Sequence, residues 1–270
     1  MTTAAREIAP AKLNLALHVR GKLSDGRHSI ETIFAFCTDG DRLSAQPSDD
    51  FSLAVTGPFA GELGESQDNL VMKAARALAE KAGVAHGARL TLDKQLPVAS
   101  GIGGGSADAA ATLRLLTSLW NIDPRHAQMV APELGSDVPA CLLSLPARGE
   151  RAGDRVTLID LADLAGTPVL LVNPRVALST ADVFARWDGL DRGLLGDWRG
   201  GRNDLQAAAV ALAPQIEAVI AWLSVQPGST FTRMSGSGAT CFSMFDSEQS
   251  RDAAADAVPR EWWRLPTFLR

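Results

Sequence analysis

A run of glycines near the middle of the chain constrains its fold more than any other feature. Residues 96–108 read Leu-Pro-Val-Ala-Ser-Gly-Ile-Gly-Gly-Gly-Ser-Ala-Asp, and apolar residues at helical spacing continue to Trp120. Without Cβ atoms, backbone N–H groups can converge on an anion, and a following helix adds the positive end of its dipole. We predict that a helix begins near Ser106 and that this loop binds the phosphates of a nucleotide.

The same loop has other interpretations. It is not a Walker A motif, because no Gly-Lys-Ser/Thr follows it. It is also a poor dinucleotide-binding fingerprint, which normally follows the first strand of a βαβ unit and would indicate an oxidoreductase. A flexible linker or tight turn is the remaining alternative. A proline before the loop and an alanine-rich helix after it favour phosphate binding.

Composition sets limits on the class of protein. The 270 residues are 46% hydrophobic and 21% charged, with a net charge of −5, as in globular proteins of one large or two ordinary domains. Broad binding to nucleic acid or an anionic membrane would need a basic face, although a local basic pocket remains compatible with this charge. Three widely separated cysteines and no signal-like or membrane-spanning run predict reduced thiols in a cytoplasmic protein.

The N-terminal segment alternates as a strand does. In residues 8–19 the apolar side chains share one face, and Lys12, Asn14 and His18 share the other. We predict a strand with one buried and one polar face. An ammonium there can orient a substrate hydroxyl or stabilise charge on a transferring phosphoryl group. A solvated strand face is the alternative for a lone lysine.

Hairpins and helices are mixed in the remaining sequence, which favours an α+β fold over a regular βαβ succession. The predicted elements are a turn at 24–26, a strand at 30–37, a helix capped by Asp68 or Asn69 and ending at Gly83, a strand at 89–93, a helix starting at Asp123-Pro124, a strand at 167–172, a helix pair at 203–223 broken by Pro214, and a loop and strand at 234–245.

Two later segments carry further candidate groups. In Leu-Gly-Ser-Asp-Val-Pro (134–139), Val138 precedes a proline and is expected to be extended, which constrains Asp137. Its carboxylate can accept a hydroxyl proton, or it can be a helix cap or surface residue. The segment 234–241, Met-Ser-Gly-Ser-Gly-Ala-Thr-Cys, can approach phosphate or the first glycine loop, or be a hairpin turn.

The order and spacing of these segments resemble the GHMP kinase family. The four segments that carry this resemblance are Pro10-Ala11-Lys12-Leu13-Asn14-Leu15, the glycine loop, Gly135-Ser136-Asp137-Val138-Pro139 and Met234-Ser235-Gly236-Ser237-Gly238. Three further segments are similar to the branch of the family with a cytidyl diphosphate substrate: Asp25-Gly26-Arg27-His28, Asp68-Asn69-Leu70 and Asn203-Asp204-Leu205. The similarity weakens only in residues 40–65 and after residue 245.

This resemblance implies a two-domain α+β GHMP kinase fold, with a nucleotide-binding N-terminal domain at 1–155, a C-terminal domain at 156–270 and the active site in the cleft between them. It implies transfer of the γ-phosphoryl group of ATP, with Mg²⁺, to the 2-hydroxyl of 4-diphosphocytidyl-2-C-methyl-D-erythritol. That reaction belongs to the non-mevalonate route to isoprenoid precursors. The implied partner is therefore a small molecule, with no nucleic acid or membrane.

Roles follow from the matching positions in the family. Asp137 would take the hydroxyl proton while Lys12 steers the hydroxyl, and Ser106 would be a magnesium contact. His28 matches a cytosine-recognising histidine. The implied nucleotide-binding residues are Asn69, Lys94, Pro97, Val98, Ala99, Ser100, Gly101, Ile102, Gly103, Gly104, Gly105, Ser106 and Ala107. The implied substrate-binding residues are Asn14, Arg27, His28, Thr180 and Phe184.

The chain departs from the family pattern at Arg27. The family usually has a tyrosine there, stacked on cytosine, and this chain has no tyrosine. Arg27 can stack its guanidinium plane or pair with the diphosphate. Pro132, in a segment that is usually helical, predicts a kink before Asp137.

Two rival functions remain open. One is another GHMP kinase, of the mevalonate, homoserine or galactose type. The other is a nucleotide-binding module that has lost its kinase chemistry, and retention of both Lys12 and Asp137 argues against it.

Overall fold

A computed structural model describes residues 5–63 and 69–270 of the chain. Within these residues the chain forms ten strands and eight helices. The strands are β1 (Ala5–Lys22), β2 (His28–Ser48), β3 (Ser52–Thr56), β4 (Gly87–Asp93), β5 (Ala147–Glu150), β6 (Arg155–Leu158), β7 (Pro168–Asn173), β8 (Ser229–Met234), β9 (Cys241–Phe245) and β10 (Trp263–Phe268). The helices are α1 (Leu70–Ala82), α2 (Gly104–Trp120), α3 (Pro124–Leu134), α4 (Val138–Leu143), α5 (Thr180–Ala185), α6 (Gln206–Leu212), α7 (Gln215–Ser224) and α8 (Glu248–Ala257).

The chain divides into two compact units, each assembled from several segments. The described residues of Met1–Ala11, Asp39–Val98 and Gly103–Ser144 form the first unit. Lys12–Thr38, Ala99–Ile102 and Leu145–Arg270 form the second. Both β1 and β2 pass from one unit to the other, because each is a strand of about twenty residues. The boundary between residues 155 and 156 stays a prediction.

The first unit combines a small sheet with four helices. The second half of β2 pairs antiparallel with β4, from Arg42 opposite Asp93 to Ser48 opposite Gly87. β3 lies parallel to β4 on its other edge. Helix α1 packs on α2 and α3, and α4 packs on α2 and α3. Almost all of α2 between Ala107 and Leu116 is buried, and because its alanine side chains are small, the neighbouring helices can pack closely against it.

The second unit contains two strand systems and four helices. The first half of β2 pairs antiparallel with β5, which pairs with β6. Separately, four antiparallel strands lie in the order β10-β7-β9-β8. Helices α7 and α8 cover this second sheet, α7 on β8 and β9 and α8 on β7 and β10. Buried residues of β1, β7, β9 and the helices form one hydrophobic core.

Local sequence signals place several helix ends correctly. Asn69 caps α1, since its Oδ1 accepts a hydrogen bond from the backbone N–H of Val71 at 2.9 Å, and Gly83 ends the helix in the left-handed conformation. Asp68, the alternative cap, lies outside the described residues. Asp123 caps α3 in the same way, with Pro124 at the first helical position. The predicted pair α6 and α7, broken near Pro214, is also confirmed.

Three local predictions were wrong. Helix α2 begins at Gly104 rather than near Ser106, so two of the loop glycines are helical. Val138 is the first residue of α4 and not extended, because a proline in the first helical turn has no N–H that the helix needs. The polar face of β1 is buried: Lys12, Asn14 and His18 are only 3%, 2% and 2% exposed.

Pro132 lies inside α3, as the sequence suggested. All three cysteines are buried, and Cys241 is completely enclosed, so burial raises the pKa of its thiol. Across 5–63 and 69–270, none of the helices combines the length and apolar character that a bilayer crossing demands.

Gly40 in β2 gives a test of the first unit. A Cβ built on Gly40 would overlap the carbonyl of Ala9 on β1, whereas one on Gly196 would have no atom within 4 Å. We expect Gly40→Ala to lower the free energy of unfolding by about 1–3 kcal/mol or more, since overpacking displaces backbone. Gly196→Ala is the matched control and should change it little. Urea denaturation measures both, and equal stabilities of the two variants would contradict this account.

Candidate active site

Lys12 and Asn14 form the centre of the polar group on β1. The Lys12 Nζ donates to Asn14 Oδ1 at 2.7 Å, and the Asn14 amide nitrogen donates to Thr32 Oγ1 at 2.8 Å. Thr32 Oγ1 in turn donates to the carbonyl of Ala16 at 2.7 Å. The ammonium also lies 5.2 Å from the ring centroid of Phe34, within range of a cation–π contact. Lys12 is therefore held in one buried orientation by its neighbours.

The first part of the glycine loop packs against the late Gly/Ser loop. The Ser235 hydroxyl donates to the carbonyl oxygen of Gly101 at 2.9 Å, and the backbone N–H of Thr240 donates to the carbonyl oxygen of Ser100 at 3.1 Å. A Cβ on Gly101, whose φ is +77°, would lie only 2.7 Å from the carbonyl oxygen of Gly238. Approach to the first glycine loop, one of the interpretations of residues 234–241, is observed and requires glycine at position 101. The segment is also the hairpin connection between the antiparallel strands β8 and β9.

Both loops are attached to β1. The backbone N–H of Lys12 donates to the carbonyl of Ile102 at 2.9 Å, and that of Asn14 donates to Ser235 Oγ at 3.1 Å. Asn203 fixes the late loop from its other side, with its amide nitrogen 2.9 Å from the Met234 carbonyl and 2.8 Å from that of Gly236. The two loops and the lysine strand thus form one hydrogen-bonded arrangement.

Aromatic residues surround His28, at the start of β2. Its ring stacks on Phe184 with centroids 4.7 Å apart and 27° between planes, and it meets Trp187 edge-on at 5.8 Å. Burial, followed by the nearby Lys22 charge, lowers the pKa of His28, which favours the neutral imidazole. A neutral ring can both donate and accept a hydrogen bond, as recognition of a nucleobase edge needs.

Thr180 and Phe184 are one helical turn apart on α5 and therefore share a face. Thr180 Oγ1 is 2.8 Å from Ser237 Oγ in the late loop. The predicted substrate residues His28, Phe184 and Thr180 are thus connected through α5. Trp187 was missed by the sequence analysis, although its position three residues after Phe184 is a signal for it.

Arg27 is bound to carboxylates. Its Nε donates to Asp25 Oδ2 at 2.9 Å and its Nη1 to Asp154 Oδ2 at 3.1 Å. The side chain is half exposed, and the hydrogen bonds and charge of Asp25 and Asp154 raise its pKa. Neither stacking on a base nor pairing with a diphosphate is needed to explain this geometry.

In the first unit, Lys94 is buried between two aspartates. Its Nζ donates to Asp41 Oδ2 at 2.5 Å and to Asp108 Oδ2 at 2.7 Å, and a Cβ on Gly104 would lie 3.0 Å from this nitrogen. The second oxygen of Asp41 accepts the backbone N–H groups of Gln95 and Leu96. We call Asp41, Lys94 and Asp108 the buried triad; it lies below the first turn of α2.

The buried triad has one more acid than base, and this asymmetry appears in its titration. Burial raises the pKa of Asp108 to about 8, against the attraction of Lys94 and together with repulsion from Asp41. Burial acts to lower the pKa of Lys94, but the two carboxylates outweigh it and the pKa is raised. Near neutral pH, Asp108 therefore holds a proton and Lys94 its charge. Of the three residues, only Lys94 was predicted from the sequence.

The first turn of α2 offers backbone donors. The helical ladder begins with the N–H of Ala107 bonding to the carbonyl of Gly103 at 2.7 Å, so the N–H groups of Gly104, Gly105 and Ser106 precede it. Gly103 has a φ of +67°, and in the preceding loop Ala99 and Gly101 also have positive φ. Together with the helix dipole, these donors suit an anion.

Other predicted residues have structural contacts of their own. The Asn69 side chain caps α1, and Pro97 is buried beside the loop. Asp137 is the N-cap residue of α4, with φ −85° and ψ −15°, and its side chain makes no capping hydrogen bond to that helix. Among the described residues, no group of three His, Cys, Asp or Glu side chains has a metal-binding arrangement. The roles of all these residues stay predictions.

The comparisons with known proteins identify the family. Residues 69–144 match the GHMP kinases N-terminal domain, and residues 184–265 match the GHMP kinases C-terminal domain. The chain belongs to the GHMP kinase family, and it is an ATP-dependent phosphotransferase by membership. The α+β fold predicted from the sequence is confirmed.

Close relatives carry one name. A 4-diphosphocytidyl-2-C-methyl-D-erythritol kinase of Rhizorhabdus wittichii is 53% identical, over 98% of this chain and 94% of the relative. One of Novosphingobium aromaticivorans is 48% identical, over 98% and 93%. A crystal structure of 4-(cytidine 5'-diphospho)-2C-methyl-D-erythritol kinase is similar with a TM-score of 0.83, at 30% identity and 98% of each chain.

The buried triad predicts a specific pH dependence of stability. The pKa of Asp108 rises from 3.8 to about 8 on folding. Its contribution to the free energy of unfolding is therefore complete below the pKa of the unfolded state, and it is lost as the pH rises through the pKa of the folded state. The Asp108→Asn side chain cannot lose a proton, so its melting temperature should fall less between about pH 5 and about pH 9.5 than that of the parent. Differential scanning fluorimetry over that range measures the effect.

The control is Asp123→Asn. Asp123 is an exposed cap whose pKa is lowered to about 2 by hydrogen bonds from Arg125, so it stays charged throughout the range, and asparagine also caps helices. This control should follow the parent curve. If Asp108→Asn does so too, Asp108 does not titrate as stated.

Proposed function

We propose that this protein transfers the γ-phosphoryl group of ATP to the 2-hydroxyl of 4-diphosphocytidyl-2-C-methyl-D-erythritol, a step of non-mevalonate isoprenoid precursor synthesis. The observation that carries the proposal is the identity of up to 53% with kinases of that name, over nearly the whole length of both chains. The buried Lys12–Asn14 pair, attached to both glycine loops, supports it at the level of the site.

Lys12 and Asp137 are the proposed catalytic residues. The rigidly held ammonium of Lys12 steers the acceptor hydroxyl and stabilises negative charge that develops during transfer. Asn14 fixes that ammonium through the 2.7 Å hydrogen bond and extends the polar surface toward the substrate. Asp137 accepts the proton of the hydroxyl. These roles rest on matched motif positions.

The residues from Pro97 to Ala107 are proposed to hold the triphosphate. The N–H groups of Gly104, Gly105 and Ser106 precede the first helical hydrogen bond of α2 and are suited to a polyphosphate. The glycines allow the backbone to approach it closely, because a Cβ would be in the way. Asn69 and Lys94 contribute near the nucleotide, Lys94 by holding the first turn of α2 through its pair with Asp108. When bound, Mg²⁺ would neutralise phosphate charge, and the Ser106 hydroxyl would be its protein contact.

His28, Phe184 and Thr180 are proposed to bind the cytidyl group, with Arg27 at its edge. The neutral imidazole of His28 can pair with the base edge, and the aromatic rings beside it supply an apolar wall. We also propose a cytoplasmic location, which fits a biosynthetic kinase that uses ATP.

The decisive measurement is ADP formation from ATP and Mg²⁺ with the purified protein and each of four acceptors. The acceptors are 4-diphosphocytidyl-2-C-methyl-D-erythritol, mevalonate, homoserine and galactose. Turnover with the cytidyl compound alone supports the proposal. Turnover with another alcohol would support kinase activity and contradict the proposed substrate. An absence of turnover with all four acceptors would favour a nucleotide-binding protein that has lost its kinase activity.

Removal of either catalytic group should abolish turnover without abolishing ATP binding. Asp137→Asn should lower kcat by about 10²- to 10⁴-fold, the usual effect of a general base. Lys12→Met keeps the length of the side chain without its charge and should lower kcat by about 10²- to 10³-fold. Lys81→Met, at an exposed lysine of α1, is the matched control. Near-parental turnover in either variant would exclude the role proposed for that residue.

Arg27→Ala should raise KM for the cytidyl substrate more than it lowers kcat, because Arg27 is proposed to touch the substrate remotely from the reacting atoms. Arg125→Ala is a close control, since Arg125 makes the same local pair with the aspartate two residues before it, in α3. Steady-state kinetics give both constants. An unchanged KM in the Arg27 variant would remove Arg27 from the substrate site.

A further inference from the structure

The second unit contains a cavity of about 410 Å³ to which no role has been given above. Its walls include three arginines, Arg186, Arg192 and Arg202, together with Trp187. We call these four residues and the space between them the arginine pocket. A volume near 400 Å³ is at the small end of ligand sites.

The charges around the arginine pocket are unbalanced. Arg192 pairs with Asp188, and Arg202 Nε donates to Asp204 Oδ1 at 2.6 Å. The other oxygen of Asp204 accepts the backbone N–H of Val19, so both oxygens of this carboxylate already accept a hydrogen bond. Arg186 at the end of α5 is offset by neither aspartate. Three arginines against two aspartates leave one excess positive charge.

Two N–H donors of the pocket residues are buried and lack a hydrogen-bond acceptor among the described residues. They are Nη2 of Arg202 and Nε1 of Trp187. A buried donor without a partner is costly, so a side-chain movement that brings either one to an acceptor in the cavity would remove that cost. Together with Arg186, three residues of the cavity wall therefore carry donors for such an acceptor.

From these observations we propose that the arginine pocket binds a small organic phosphate. Donors on three residues match the three or more acceptor oxygens of a phosphate better than the two of a carboxylate, and arginine is the usual partner of phosphate. The cavity is larger than the anion alone, and the indole of Trp187 with Ala207, Ala208 and Ala211 supplies an apolar wall for its organic part. This inference does not rest on the proposed function.

The cavity adjoins Asn203, which holds the late loop, and the arginine pocket shares one residue with the aromatic group around His28. Trp187 lies in the pocket wall and also meets His28 edge-on. A ligand that binds the indole N–H will therefore change the environment of the His28 ring. Probes without a nucleobase are needed, because they cannot imitate this signal by stacking beside His28.

The test follows the indole ¹⁵N–¹H resonance of Trp187 in the full chain, identified by its loss in Trp187→Phe. Glycerol 3-phosphate, inorganic phosphate and acetate are titrated separately. The resonance should move with both phosphates, at lower concentration with glycerol 3-phosphate, and much less with acetate. Arg186→Gln should weaken the apparent affinity about tenfold or more, as expected for loss of a charged hydrogen bond.

Arg155→Gln is the control, because Arg155 is an exposed arginine of the same unit outside the pocket, and it should bind like the parent. A Trp187 resonance that stays fixed with both phosphates would overturn the proposal. So would an equal shift in Arg186→Gln and the parent. A response to acetate as strong as that to phosphate would reject the assignment of a phosphate ligand.

Discussion

The close approach of two glycine-containing loops is the constraint on which the candidate site depends. Gly101 and Gly238 come so close that a Cβ at position 101 could be accommodated only if the backbone of one of the two loops moved. The same contact fixes the carbonyl of Ile102, which receives the N–H of Lys12. The position of the lysine on β1 is therefore set by backbone packing and not by its own side chain alone. Bulk at either loop would be transmitted to the proposed catalytic ammonium.

Buried polar side chains are the second characteristic of this molecule. Lys12 and Lys94 are both nearly inaccessible, yet they are held differently. Lys94 is enclosed by two carboxylates, and such a pair is costly to break because a single buried charge would remain. Lys12 donates to the amide oxygen of Asn14 and lies over the ring of Phe34.

Sequence patterns predicted the elements and motifs well because their signals are local. The caps Asn69 and Asp123, the glycine loop and the alternation of β1 each depend on a few neighbouring residues. Burial of the polar face of β1 was not predictable in this way. It arises because Thr32 and Ser235, which are distant in sequence, cover that face.

The parts of the candidate site that were missed have the same origin. Asp41 reaches Lys94 across 53 positions of the chain, and no pattern around either residue announces the pair. The Asn203 motif was recognised by similarity, but its function of holding the late loop is visible only in the structure. Trp187 is the exception, since it follows Phe184 by only three residues and its backbone N–H bonds to the Phe184 carbonyl in a turn.

Arg27 illustrates how a substitution at a recognition site can be accommodated. Its guanidinium connects the turn after β1 to Asp154, just before β6, and so holds the turn from which His28 projects toward Phe184. These contacts are half exposed, and exposed ion pairs contribute little to stability because water screens them. The substrate contact proposed for Arg27 would therefore cost little, because only one such ion pair needs to be exchanged. In the free protein Arg27 holds the turn before His28, and Phe184 and Trp187 supply aromatic surface beside that ring.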